Sequence, residues 1–387
     1  LTDDGQFFNQ QKIKELLNSY AAAKGMRFFV TTGNHDPALP LGLVKKNTHF
    51  LAADGSRVTR EDSCAGYVSQ MECYTDFGFF PRKDDCYWES PFTSYTYDKY
   101  AYEEACRESV LDKRTYTLCD SLTATDASYL VEPVDGLWLL AIDGGVYLPK
   151  EMKDGKWTYQ GSSAGYNLVL KHKPFLLPWV RKVVEEARKR HKTLVAFSHY
   201  PLVDFNDGVS ESVHRMWGDR RFDLHRVPEA EVSEAFLQAG LRLHFAGHMH
   251  VNDTGIWEGK DGKHLYNIQV PSIATYVPAY KILTIESDEV FRVETVALDT
   301  VPGFDSLFPL YRAEYQSDSL KGHSPVWNKE ILSARTYGEF CDYQFRDLVR
   351  LRFIPRDLPE SWRACLDFTG AQMLEAVSGE EKSDDAD

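Results

Sequence analysis

The sequence predicts a mixed α/β fold of the α+β kind. Short apolar runs that end in polar turns alternate with segments of helical period. Three of those runs deliver the polar stretches "TTGNHD", "AFSHYP" and "AGHMHVND" directly after a strand. The run from residue 264 to 298 then reads as several consecutive strands.

Each element has a local reason. In residues 6–24 the apolar positions Phe8, Ile13, Leu16, Leu17 and Tyr20 recur at helical spacing, and Gly25 is the C-cap candidate. "MRFFVTTGNHD" reads as a short buried strand running into a Gly-Asn turn. Residues 38–130 are polar and rich in Tyr and Cys, which marks an insertion or cap, with a short helix around 99–111. As a cap they would set specificity; the alternative is a decoration packed elsewhere.

Regular patterning then returns. "GLWLLAIDGG" is a strand ending near Asp143, a residue that is either structural or part of a cleft. "PFLLPWVRKVVEEARKRHK" is an amphipathic helix with Pro178 in its first turn. "TLVAFSHYP" is a strand ending at Ser198 and His199. "EAEVSEAFLQAG" is a helix closed by Gly240, and "LRLHFAGHMH" is a strand with its loop. The strands after residue 264 are expected to form a second sheet. His244 falls on the polar side of its strand and reads as structural. From 301 a C-terminal extension begins, with one helix near 338–351 and an acidic end, "SGEEKSDDAD", of disordered composition. The organisation is thus a core over 1–300, interrupted by 38–130, and an extension over 301–387.

Composition bounds the partners. Aspartate and glutamate number 58 against 44 Lys and Arg, a formal charge of -14, so the general field does not recruit nucleic acid or anionic membrane. An anionic substrate would need local positive charge. No apolar run approaches the roughly 18 residues of a membrane span. Of seven cysteines, five fall between Cys64 and Cys119, and no CxxC occurs, which argues against a zinc ribbon. Clustered disulfides and buried thiols both remain open; the clustering leans slightly to a periplasmic or secreted protein. The start, "LTDDGQFF", carries no Met and no leader pattern and reads as the interior of a longer protein.

The three post-strand loops offer Asn34, His35, Asp36, His199, His248 and His250. Neutral imidazoles and an amide oxygen suit divalent transition ions. His248 and His250 stand two residues apart, so their side chains diverge and can serve two neighbouring ions. Gly247 and Gly33 would allow close approach and an unusual turn.

"GNHD" (33–36), "SHYP" (198–201) and "GHMH" (247–250), in that order and each after an apolar run, resemble the calcineurin-like metallophosphoesterases. The resemblance covers roughly residues 1–295 outside the insertion. It implies a four-layer α/β/β/α sandwich with two mixed sheets, its first strands missing. It implies metal ions such as Mn, Fe or Zn, normally two, with Asn34, His199 and His248 on one and His250 on the other. His35 would act as general acid or charge stabiliser beside the leaving oxygen, oriented by Asp36. The implied activity is hydrolysis of a phosphate mono- or diester by a metal-bound hydroxide, with a small-molecule ester favoured over a phosphoprotein.

The sequence departs from the family pattern at its start. The DxH motif and the bridging Asp of GDxxD are absent, and "LTD" at 1–3 fits the last three positions of the latter. The expectation is an N-terminally truncated chain whose own activity is open. Two alternatives stand beside it: a non-catalytic binding or scaffold relative without its metal centre, and a mononuclear hydrolase using Asn34, His199 and His248. The basic stretch "NDGVSESVHRMWGDRRFDLHR" supplies the substrate-binding candidates, His214 and Arg215 above all.

Overall fold

The computed structural model describes residues 5–36, 44–52, 54, 56–64, 66–119, 122–153, 156–159, 164–218, 221–287, 290–320, 322 and 327–378. The chain divides into two compact units. The first comprises Leu1–Ser210, His225–Ile273 and Ala279–Ala297, and the second comprises Glu211–Leu224, Ala274–Pro278 and Leu298–Asp387.

The first unit is mixed α/β and is built on a seven-stranded sheet. Its order is Asp253–Glu258, His264–Gln269, Leu243–Ala246, Thr193–Ser198, Leu137–Ala141, Tyr129–Val134 and Tyr87–Glu89. The four strands from His264–Gln269 to Leu137–Ala141 run parallel. The outer strands pair antiparallel. Parallel pairing puts the carboxyl ends of four strands along one edge, where an open α/β sheet holds its ligands.

The helix Leu176–Lys189 shows why the pattern folds this way. Leu176, Trp179, Val180, Val183, Val184 and Ala187 are buried, spaced three and four apart on one stripe. They join one core with Leu140, Ala196, Phe236 and Leu265. Each such side chain taken wholly out of water contributes roughly 1.5–3 kcal/mol for the larger aliphatics. The expected helices at 6–24, 229–240 and near 338–351 are present as Phe7–Lys24, Ala230–Gln238 and Tyr337–Leu348. Gly25 and Gly240 both lie in the left-handed region, with φ of 64° and 102°.

Two expectations are corrected. Residues 26–31 form no strand. Val30 N–H donates to Phe77 O at 3.0 Å and Val30 O accepts from Tyr129 Oη at 2.8 Å, so a turn and a side chain satisfy this backbone in place of a ladder. The strand His264–Gln269 does not belong to a second sheet; it pairs parallel with Leu243–Ala246, because its side chains are buried on both faces near its end. Of the strands after residue 264, Ala279–Ile285 and Phe291–Ala297 make a separate two-stranded sheet. Parts of the Tyr- and Cys-rich segment join the sheet and its core. Tyr87–Glu89 is the sheet's edge strand, and Met71, Phe77, Phe79 and Trp88 pack with Tyr129 and Val131. Residues 37–43 and 379–387, with most of the acidic end, lie outside the described residues.

The second unit is helical. Phe308, Ile331, Phe340 and Cys341 form its core. Thr336 caps the helix Tyr337–Leu348 by accepting from Glu339 N at 3.1 Å. Among the described residues no helix is long and apolar enough to cross a membrane. Cys73, Cys86, Cys106, Cys119, Cys341 and Cys365 are free thiols.

Candidate metal centre

Three donor atoms from three separate loops meet at the carboxyl edge of the parallel strands. His199 Nε2 lies 2.7 Å from Asn34 Oδ1 and 3.0 Å from His248 Nδ1. His199 follows the strand Thr193–Ser198 and is 6% exposed. His248 follows Leu243–Ala246, and Gly247 N–H donates to His199 O at 3.0 Å, which locks the two loops in register. His248 and His250 both have left-handed backbones, with φ of 66° and 59°. Such a conformation is uncommon for a side-chain-bearing residue and clusters at functional sites. The strain therefore falls on the histidines. Gly247 has room for a Cβ, its nearest neighbours being His199 atoms at 3.8 and 4.0 Å.

Burial holds these imidazoles neutral. The His199 pKa is pushed well below its ordinary value, by burial first and then by the fields of Arg226, His250 and His35. His248 is likewise pushed well down, by burial, then by His199 and Arg226. A neutral imidazole keeps a lone pair for a cation. The proton inventory points the same way. Arg226 Nη1 lies 3.0 Å from His248 Nε2 and, as an obligate donor, leaves the His248 proton on Nδ1. His199 Nε2 then meets an N–H on one side and the Asn34 carbonyl oxygen on the other. With Oδ1 facing in, a neutral His199 satisfies one of these contacts and repels the other. A cation accepts lone pairs from all three atoms, so the donor set fits a metal ion.

Two buried networks hold the loops. Asp143, 2% exposed, accepts from Thr32 Oγ1 at 3.3 Å, Tyr67 Oη at 3.1 Å and Gly145 N at 3.0 Å. Lys173 Nζ pairs with Asp143 at 2.9 Å and Asp126 at 2.8 Å, all three nearly without exposure. Asp143 is thus structural, and through Thr32 it fixes the turn that presents Asn34. Behind His199, His244 joins Ser198 Oγ at 2.9 Å to Asn267 Oδ1 at 2.8 Å. Asn267 Oδ1 also accepts from Leu202 N at 2.9 Å. The His244 proton facing Asn267 therefore sits on Nδ1, while Ser198 Oγ, which donates its hydroxyl to Tyr200 O at 2.7 Å, lies 2.9 Å from Nε2. His244 is structural, as its position in the strand suggests.

The remaining expected residues are placed as follows. His35 is exposed at the tip of its turn. Asp36 is 2% exposed and its carboxylate accepts from Gly33 N at 3.1 Å, which closes that turn. His250 is exposed, and its pKa is lowered by partial burial and then by His35. His214 and Arg215 lie exposed on the helix Ser210–Trp217, in the second compact unit, where Arg215 Nη2 donates to Ser212 Oγ at 3.2 Å. The cation beside the donor trio is Arg226, the last residue of the basic stretch, which the sequence reading passed over. No local pattern sets it apart, since Arg215 precedes Met216 and Trp217 and Arg221 precedes Phe222.

Among the described residues no three His, Cys, Asp or Glu side chains form a metal-holding group. The convergence is two histidines and an amide. No family model matches the chain, and no curated protein matches it.

Proposed function

We propose that this chain is the core of a metal-dependent phosphoesterase of the calcineurin-like kind, acting on a small phosphate mono- or diester. The observation that carries the reading is the meeting of Asn34 Oδ1, His199 Nε2 and His248 Nδ1, each within 3.0 Å of the next, from loops that stand 165 and then 49 residues apart in sequence. His199 is buried and His248 half-buried, and both are held neutral, as ligation requires. Bound ions would activate water and neutralise charge on the phosphoryl oxygens. Asn34, His199 and His248 would hold one ion. His250 would contribute to a second, within a four-layer sandwich that extends the observed sheet. His35, exposed on the turn that Asp36 closes, would give a proton from its ring to the departing oxygen.

A mononuclear centre is the second reading. It is favoured by the convergence of Asn34 and His248 on His199 Nε2, where His250 makes no such contact among the described residues and is exposed.

The test is manganese loading followed by elemental analysis, with hydrolysis of bis(p-nitrophenyl) phosphate and p-nitrophenyl phosphate measured on the same samples. The expected result is bound metal, one ion for the mononuclear reading and two for the dinuclear, with metal-dependent turnover of one ester. His248→Ala should lose the ion. A folded wild-type chain that retains no manganese ends the proposal.

A further inference from the structure

The helical second unit carries a pocket of about 460 Å³, within the roughly 300–1,000 Å³ of ordinary small-molecule sites. Tyr311, Trp327, Ile331, Phe345 and Leu348 give it an apolar and aromatic wall. They come from the helix Phe308–Leu320, the turn Lys329–Ser333 and the helix Tyr337–Leu348, with Trp327 just before that turn. Every lining residue, the loop residues Ala274 and Thr275 included, belongs to this unit, and none belongs to the metal centre. Water gains little against such a wall, so the pocket is filled best by an apolar body.

The polar groups of the wall choose the ligand. Thr275 Oγ1 is shielded from solvent and has no hydrogen-bond partner among the described residues. A shielded hydroxyl left unpaired is costly, so one in a pocket wall asks for a partner from the ligand. Glu314 is exposed, which puts it at the rim, and it forms no ion pair among the described residues. Asp347 is already engaged: its carboxylate accepts from Asn328 N at 2.5 Å and from Arg350 Nη2 at 2.8 Å. No Lys, Arg or His stands among the described lining residues. The charge left to recognise a ligand is therefore negative, and the rings of Tyr311 and Trp327 also attract cations.

We propose that this pocket binds an aromatic monoamine, an indole or phenol ring on a short alkylammonium arm. The ring lies against Trp327, Phe345 and Leu348, and its N–H or O–H donates to Thr275 Oγ1. The ammonium group stays at the rim beside Glu314, where it keeps part of its hydration and escapes the full cost of burying a charge. A carboxylate of the same shape would meet Glu314 as a like charge. An alkyl chain would leave the Thr275 hydroxyl unpaired. The same groups thus select an aromatic amine over a fatty acid, the other occupant that an apolar pocket of this size would suit.

Isothermal titration calorimetry of the full chain tests this with tryptamine and three analogues. Tryptophol lacks the charge, ring-N-methyl tryptamine lacks the ring donor, and indolepropionate reverses the charge. For wild type, tryptamine should bind about tenfold more tightly than tryptophol, the scale of a rim charge with a cation–π contact. It should bind about fivefold more tightly than its ring-N-methyl form, the scale of one hydrogen bond. Indolepropionate should bind least. Glu314→Gln, at an exposed position, should bring tryptamine to the level of tryptophol and leave tryptophol unchanged. Thr275→Val should remove the difference between tryptamine and its ring-N-methyl form. Gln344→Trp, at another exposed lining position, should fill the mouth and abolish binding of all four compounds. Glu314→Gln decides the matter even if the tryptophan variant does not fold. Tightest binding by indolepropionate would make this an anion site and overturn the proposal. So would the absence of saturable tryptamine binding in wild type, or a Glu314→Gln variant that keeps the tenfold preference. Unchanged binding in a folded Gln344→Trp would place tryptamine elsewhere and equally end it.

Discussion

His244 sits with no exposure between Ser198 and Asn267, and its burial has a thermodynamic consequence. Burial lowers its pKa to about 4, against an ordinary value of 6.5, with the Asn267 contact opposing. The unfolded chain thus binds the proton first as pH falls. The stabilisation by a neutral His244 is complete above the unfolded value and is lost as pH drops from 6.5 towards 4. At pH 5 this residue alone should account for a loss of about 2 kcal/mol relative to pH 8. Urea unfolding of wild type and His244→Gln across that window measures it: the variant's stability should vary less with pH. Parallel curves would show that other groups govern the slope. Lys173 illustrates the opposite balance. Burial alone would lower its ammonium, yet Asp126 and Asp143 outweigh that and hold it raised. Neither residue's role was legible beforehand in full. The strand position of His244 identified it as structural, but nothing in the local pattern around Lys173 announces a buried ion triad, because its partners lie 30 and 47 residues away.

Elements with their own punctuation were the legible ones. The helix Ala230–Gln238 ends where Gly240 takes φ 102°, and Gly240 N–H and Leu241 N–H bond back to Leu237 O and Phe236 O. This closure sends the chain into Leu243–Ala246 and so to His248. A Cβ at Gly240 would stand 2.7 Å from Val184 Cγ1 on the neighbouring helix Leu176–Lys189. Gly240→Ala therefore combines a disfavoured backbone with a clash and should cost about 2 kcal/mol. Denaturant unfolding of Gly240→Ala, Val184→Ala and the double variant should show non-additivity, since removing Cγ1 relieves the clash. A Gly240→Ala stability within about 0.5 kcal/mol of wild type would refute the strain argument. Residues 26–31 were misread for the converse reason. Their apolar run has strand composition, but a strand exists only where a neighbour supplies a ladder, and here Phe77 and Tyr129 supply single bonds. The convergence of Asn34, His199 and His248 was legible because each stands beside a turn signal. Arg226 was not, since its place beside His248 depends on Asn167 far upstream, whose Nδ2 donates to Val227 O at 2.8 Å.

At the scale of the whole chain, the sequence marks a change near residue 300 but hides the interleaving. The second unit takes 211–224 and 274–278 from the middle of the first, and such exchanges leave no compositional trace. They do leave contacts. Trp217 packs on Phe222 and Trp362 with ring centres 5.6 and 5.2 Å apart, and Tyr276 stacks on Phe345 at 6.3 Å. Leu298 N–H donates to Pro278 O at 2.8 Å. The cluster of Phe304, Phe308, Ile331 and Phe340 lies wholly within the C-terminal segment, so a 298–387 fragment keeps a nucleus for helix packing. It loses the aromatic partners contributed from the middle of the chain. Aromatic pairs of this kind are worth about 0.5–1.5 kcal/mol each beyond the area they bury, a large share of the stability of so small a unit. The isolated fragment should therefore retain helical far-ultraviolet dichroism while its near-ultraviolet signal and cooperative melting are lost. Adding a 211–224 peptide should not restore them, because the second missing piece, 274–278, is held at both ends by strands of the first unit. A sharp melting transition in the fragment alone would mean that the C-terminal helices are self-sufficient and that the interleaved segments merely rest on them.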